Sequence, residues 1–212
     1  LHRVDRRQRQ MCIRDRVRRE DGAEFTICYN GELYNMMELK QELREEGVRF
    51  QTNSDTEVIL AGYIHYGKAF VERLDGIFSF AIWDGAREKF LLYRDRVGIK
   101  PCFYTVKDNT LVFSSEIKGI LSFPGIHAEV DKDGLCEVFG LGPAKTYGNG
   151  VFRGIREVLP GHFLEFDADG CRQHCYWQVK SLPHEESFEE TVERTRYLSL
   201  IHISEPTRLR RI

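Results

Sequence analysis

Phe25-Thr26-Ile27-Cys28-Tyr29 is a short apolar run that predicts a strand, and a helical pattern opens directly after it. In that pattern Met36, Met37, Leu39 and Leu43 fall on one face. Asn35 stands at the N-cap position and Gly47 at the left-handed position after the helix end. Val48 to Gln51 then predicts a short strand. Ser54-Asp55-Thr56-Glu57 has the S-x-x-E form of a capping box and starts a second helix through Val58-Ile59-Leu60 to Tyr66, stopped by Gly67.

From residue 76 the pattern changes to strands. Ile77-Phe78-Ser79-Phe80-Ala81-Ile82-Trp83 is too continuously apolar for a surface strand and predicts a central one buried on both faces. Asp84-Gly85 turns the chain, and Phe90 to Tyr93 returns. Phe103-Tyr104-Thr105 and Leu111-Val112-Phe113 flank Lys107-Asp108-Asn109, a hairpin signature. Short helices follow at Glu116 to Leu121 and Lys132 to Phe139. Phe163 to Phe166, the turn Asp167-Ala168-Asp169-Gly170 and Arg172 to Trp177 form a further hairpin. Ser181 to Glu186 reads as a polar linker and Phe188 to Leu198 as a helix. Locally connected strands with helices packed outside define the α+β class, with mainly antiparallel sheets.

Charge changes this picture at the two ends. The net charge of −2 hides eight Arg in residues 1–20 and three in residues 199–212, against Asp5, Asp15, Glu20 and Glu205. Removing those from 31 basic and 33 acidic residues leaves 20 and 29, a net of −9 for residues 21–198. An acidic core argues against a nucleic-acid-binding module. Gln10 to Arg16 and Ser199 to Arg208 resemble translated sequencing-adapter sequence, so residues 1–16 and 199–212 are set aside as non-native tails. With no long apolar stretch and no secretory signal, the reading is a cytoplasmic protein without a membrane span. The six cysteines, at 12, 28, 102, 136, 171 and 175, form no disulfide framework. Cys171 and Cys175 with His174 and His162 could be drawn as a zinc site, but strand alternation and the lack of a second cysteine pair speak for packed thiols, and no metal is expected.

The candidate chemistry lies in Asn30-Gly31-Glu32, expected at the strand-to-helix junction. A side-chain amide beside a glycine N–H can hold a developing oxyanion. The carboxylate of Glu32 can hold an ammonium group. Around it stand Tyr29-Asn30-Gly31-Glu32-Leu33-Tyr34-Asn35, Ser54-Asp55-Thr56-Glu57-Val58-Ile59, Leu74-Asp75-Gly76 through Asp84, Arg94-Asp95-Arg96-Val97-Gly98-Ile99-Lys100-Pro101 and Phe113-Ser114-Ser115-Glu116-Ile117-Lys118. Leu159-Pro160-Gly161-His162 and Tyr176-Trp177 continue the series. In this order the motifs resemble the glutaminase half of the asparagine synthetases, class II glutamine amidotransferases with the N-terminal-nucleophile hydrolase fold.

That resemblance implies a four-layer αββα sandwich, here lacking its N-terminal part, with an incomplete amidotransferase domain over residues 17–178. Residues 179–198 would be the linker and first helix toward a synthetase domain. Asn30 and Gly31 would form the oxyanion hole, and Glu32 and Asp55 would bind the α-amino group of L-glutamine. Asp75, Asp84, Arg94, Asp95 and Arg96 read as structural, the Arg-Asp-Arg run as an ion-pair and hydrogen-bond network. The family's nucleophile is a first-residue cysteine followed by glycine, whereas Cys12 is followed by Ile13 and lies too close to Asn30. The expectation is therefore a fragment that hydrolyses no glutamine. Its parent would supply ammonia for ATP- and magnesium-dependent amidation of aspartate, through a pyrophosphate loop absent here, and could pair as a homodimer. The alternatives are an amidotransferase with another acceptor and a non-catalytic glutamine-binding module.

Overall fold

Hairpins between neighbouring apolar runs build most of the fold. The computed structural model describes residues 15–142 and 146–201. One sheet comprises β1 (Asp15–Glu20), β2 (Ala23–Leu33), β3 (Gly76–Asp84), β4 (Lys89–Arg94), β8 (His162–Asp167) and β9 (Gly170–Cys175), in the order β1-β2-β3-β4-β8-β9. In the second, β5 (Phe103–Lys107) lies between β6 (Thr110–Ser114) and β7 (Arg156–Glu157). All these pairings are antiparallel. The helices are α1 (Met36–Glu45), α2 (Asp55–Tyr66), α3 (Ile117–Leu121), α4 (Lys132–Leu141) and α5 (Phe188–Ile201), with a 3₁₀ segment at Gly67–Arg73.

The core explains the layers. Phe25, Ile27, Tyr29 and Leu33 of β2 join Phe78, Phe80 and Ile82 of β3 and Leu39, Leu43, Val58 and Leu60 of α1 and α2 in one cluster. Period-two alternation sends the intervening residues to the opposite face. There Ala81, Leu92 and Leu164 meet Cys102, Tyr104 and Val158, which line the three-stranded sheet. Beyond that sheet, α3 closes Ile120 against Phe103 and Ile155. The sequence of layers is helix, sheet, sheet, helix.

Most boundaries follow the apolar pattern. β3 is central, and its residues Phe78 to Ile82 are buried. Asp108 and Asn109 both take positive φ, 48° and 56°, as a two-residue hairpin turn demands. Gly47 sits at φ 88° just past α1.

Other expectations need correction. Val48 to Gln51 is not a strand, because the polypeptide there turns back to α2 and gives its Gln51 N–H to Glu57. The capping box is half made: Ser54 Oγ accepts from Glu57 N, but the Glu57 carboxylate is committed to Gln51 N, Thr52 N and Thr52 Oγ1. Asn35 occupies the N-cap of α1 without capping it, since its amide bridges Arg73 O and Asp75 N. β9 ends at Cys175, and Tyr176 and Trp177 instead turn both N–H groups onto Gly161 O. β1 takes in Asp15 and Arg16, assigned above to a tail; Arg16 pairs with Ile27 and places its guanidinium 3.5 Å from Glu57.

Residues 179–212 form a separate unit. Within it, Ser187 and Glu190 cap α5 reciprocally, Glu190 N donating to Ser187 Oγ and Ser187 N to Glu190 Oε2. Among the described residues no helix is long and apolar enough to cross a membrane.

Candidate functional site

Asn30, Gly31 and Glu32 lie inside β2 rather than in a loop after it. The strand continues because β3 pairs with it residue for residue, Asn30 with Ser79, Gly31 with Phe78, Glu32 with Ile77 and Leu33 with Gly76. Alternation then fixes directions. Asn30 and Glu32 share the face of Cys28, on the side of the second sheet, while Tyr29 and Gly31 belong to the helical face. Asn30 is half-buried, and its Nδ2 donates to Ser115 Oγ at 3.3 Å, from the loop between β6 and α3. Glu32 is exposed.

Gly31 has no room for a side chain. A Cβ there would stand 2.3 Å from Ile77 O and 2.7 Å from Phe78 Cα. Such closeness marks a non-hydrogen-bonded antiparallel pair, whose Cα atoms approach to about 4.5 Å. The hydrogen bonds agree. Phe78 gives its N–H to the Asp95 carboxylate and takes the Asp95 N–H on its carbonyl, both away from β2. Tyr34 N reaches Asp75 O, and Glu24 O accepts from Gly85 N, so the even residues of β2 address the β3 side. Gly31 N–H therefore points to the other side of β2, where the described pairing with β1 ends at Cys28.

Asp55 opens α2, which packs on the opposite face of the sheet from Asn30 and Glu32. The three polar side chains thus do not share one face. Tyr63 anchors the far end of α2 by donating to Asp84 at 2.6 Å, and Asp84 pairs with Phe25. Near the other end Glu57 lies 3.5 Å from Arg16, which pairs with Ile27. Asp55 is half-buried.

The loop before Asp55 is held from two directions. Lys40, 1% exposed, donates to Thr52 O at 2.6 Å and Asn53 Oδ1 at 2.5 Å. Glu57 gathers Gln51 N and Thr52 N from the other side. Burial raises the Glu57 carboxyl, but the Gln51 N–H, the Thr52 hydroxyl and N–H and the nearby Arg16 outweigh it and hold it below its ordinary value. Sequence reasoning missed Lys40 and Ser115. Lys40 follows Met36 by four residues on the apolar stripe of α1, a signal for a buried ammonium. Ser115 lies in a quoted motif, but nothing local ties it to Asn30.

Asp95 and Arg94 form the expected network. The Asp95 carboxylate accepts from Phe78, Val97, Ile99 and Lys100 N–H groups. Arg94, 4% exposed, donates to Lys100 O, Gly98 O and Val158 O and lies 3.0 Å from Glu157. Cys171 and Cys175 share one face of β9, while His174 turns to the other and stacks on Phe163 at 4.9 Å. Cys102 lies buried behind Ser79, and burial pushes its thiol up to about 12. Cys12 lies outside the described residues.

Comparison with known proteins gives this geometry a family. The glutamine amidotransferase domain model matches residues 12–177. Asparagine synthetase [glutamine-hydrolyzing] 3 of Bacillus subtilis is 49% identical over 177 residues, covering 84% of this chain and 29% of that protein. Amidase chry2 of Gibberella zeae is 36% identical over 187 residues, 82% of this chain and 26% of its own. The chain thus spans less than a third of the length of either relative. Among solved structures, glutamine phosphoribosylpyrophosphate amidotransferase from B. subtilis superposes with a TM-score of 0.53 at 21% identity, over 76% of this chain and 31% of that one. The allosteric regulatory enzyme of purine biosynthesis gives 0.56 at 21%, over 80% and 32%. These two likenesses establish the fold, an α+β N-terminal-nucleophile hydrolase sandwich. With strand, helix and motif order all in agreement, the chain belongs to the glutamine amidotransferase domain family, on the side of the glutamine-hydrolysing asparagine synthetases.

Proposed function

We propose that this chain carries the glutamine-recognising face of a glutamine-hydrolysing asparagine synthetase. The observation that carries the reading is Asn30, half-buried in β2 on the side of the second sheet with its amide donating toward Ser115 Oγ, in a chain whose residues 12–177 match the glutamine amidotransferase domain. The carboxamide oxygen of glutamine would take the Asn30 and Gly31 donors, which serve best where negative charge develops as the carbonyl becomes tetrahedral. On this reading Glu32 and Asp55 would take the α-ammonium.

In the whole protein a cysteine thiolate would attack the carboxamide, ammonia would leave, and water would resolve the thioester to glutamate. The ammonia would then displace AMP from an aspartyl adenylate, giving asparagine, with ATP and magnesium bound in a domain beyond this chain. Cys12 is followed by Ile13 rather than glycine and stands close in sequence to Asn30, so on this reading the chain would bind glutamine without hydrolysing it. L-glutamine is the partner this reading requires, in a cytoplasmic protein that engages neither nucleic acid nor membrane and whose parent would pair as a homodimer. The match to an amidase favours one second reading, the same hydrolysis serving a different acceptor.

Calorimetric titration with L-glutamine tests the proposal. Wild-type chain gives a saturable heat, and Glu32→Gln and Asp55→Asn each weaken binding by roughly tenfold or more, as expected for hydrogen bonds to a charged group. A folded chain with no saturable heat, or with the same affinity in both variants, overturns it.

A further inference from the structure

We infer that Ser115 is a positioning residue for the Asn30 oxyanion donor, an assignment that rests on the glutamine-site reading of Asn30. Strand alternation sends Asn30 Cβ to the side of the second sheet and leaves χ1 and χ2 open. A half-turn at χ2 exchanges the carbonyl of a side-chain amide for its NH2 group, and so an acceptor for a donor. Only the donor can meet a developing oxyanion. The β2–β3 ladder does not make that choice. Ser79, directly opposite Asn30 in β3, is hydrogen-bonded through its side chain to Cys102.

Ser115 makes it. Asn30 Nδ2 donates to Ser115 Oγ at 3.3 Å. The amide thus turns its nitrogen, not Oδ1, to the second layer. One N–H is committed to the hydroxyl, and the second stays on the same nitrogen. Ser115 itself sits on a braced corner. It follows β6, whose Ser114 pairs with Phe103, and precedes α3, whose Ile120 is fully buried against Phe103 and Ile155. Ser114 Oγ accepts from Glu116 N at 3.3 Å, and a Cβ on Gly119 would stand 2.4 Å from that same oxygen. The residues on either side of Ser115 are tied to one another. Its hydroxyl is therefore offered to Asn30 from a fixed place, and it acts through the amide rather than on the ligand.

A hydroxyl that acts through Asn30 and one that merely packs differ in a double-mutant cycle. L-2-Aminopentanoate keeps the α-amino acid head of glutamine and lacks the carboxamide, so the ratio of the two affinities reads the amide alone. Titrations of the full chain, labelled with ¹⁵N-asparagine, compare the two ligands in wild type, Ser115→Ala, Ser115→Thr, Asn30→Ala and the double variant with both alanines. The preference for glutamine is expected to fall about fivefold in Ser115→Ala, the scale of one neutral hydrogen bond, and to return with the threonine hydroxyl. In the Asn30→Ala background, removing the Ser115 hydroxyl costs nothing more. Affinity for 2-aminopentanoate stays unchanged throughout. The Asn30 side-chain NH2 signals move in Ser115→Ala and return in Ser115→Thr.

A preference retained in Ser115→Ala, an equal loss in the Asn30→Ala background, or unmoved Asn30 side-chain signals overturns the assignment. So does unfolding of Ser115→Ala, which would make the hydroxyl a support of the β6–α3 corner. If wild-type chain does not prefer glutamine, or Asn30→Ala keeps the preference, the oxyanion reading itself fails and takes the assignment with it.

Discussion

Replacing Gly31 by Ala tests the close approach on which the site depends. The added methyl would lie 2.3 Å from Ile77 O, 2.7 Å from Phe78 Cα and 2.8 Å from Phe78 Cβ. Ordinary carbon–oxygen and carbon–carbon contacts fall near 3.3 Å and 3.7 Å, so β2 and β3 must part by roughly 1 Å. The obstructing atoms are mostly backbone of the central strand, which Asp95 pins from its other side. Overpacking of this kind costs about 1–3 kcal/mol, and loosening flanking ladder bonds adds about 1 kcal/mol. The expected loss is about 2–4 kcal/mol. With a urea slope of about 2 kcal/mol per M, the midpoint falls by about 1–2 M. Trp83 lies on β3 and reports the transition by fluorescence. Gly140→Ala is the control, since nothing stands within 4 Å of its added carbon and alanine favours the helix. Its midpoint should hold or rise. A Gly31→Ala midpoint within about 0.3 M of wild type would refute the strand-contact geometry.

Three further outcomes follow from the same structure. Glu57 is held below its ordinary pKa in the fold, so it adds stability above the unfolded value of about 4.3 and loses it as pH falls through the folded value; Glu57→Gln should flatten the acid limb of a urea-midpoint-against-pH curve, and parallel curves would disprove this. Lys40→Met removes the ammonium from Thr52 O and Asn53 Oδ1, so amide exchange over residues 51–54 should quicken about tenfold; unchanged exchange would mean the lysine does not hold that loop. Ammonia release from glutamine should be the same in wild type and Cys12→Ala, and a higher wild-type rate would make Cys12 a nucleophile.

The class of the fold was legible because apolar runs of strand length came in hairpin pairs, and 77–83 was apolar enough to demand the sheet centre. What escaped was length and direction. β2 runs on through Asn30-Gly31-Glu32, which carry no strand propensity of their own; pairing with β3 overrides local preference. Val48 to Gln51 failed in the opposite sense, since among the described residues no strand pairs with it, its Val48 and Phe50 pack on the core from a loop, and Glu57 captures its end. Asn35 was placed correctly and given the wrong job, because a side chain that can cap its own helix can also reach Asp75 across the turn. Asn30, Gly31, Glu32 and Asp55 were proposed from motifs, whereas Lys40 and Ser115 make contacts across 12 and 85 residues. No local pattern carries such contacts.

On the proposed reading, placing Asn30 and Gly31 in a strand rather than a loop changes what the site could do. A loop donor must be ordered when charge develops, and that ordering is lost from transition-state stabilisation. A strand donor is ordered already. In β2 the two donors are also orthogonal, since the Asn30 amide leaves the sheet through its face and Gly31 N–H lies in its plane. Glu32 shares the Asn30 face two residues on, whereas Asp55 opens α2 in the helical layer. On the proposed reading the two carboxylates would therefore have to approach the α-ammonium from different faces of the sheet, so that losing either one should weaken glutamine binding by itself.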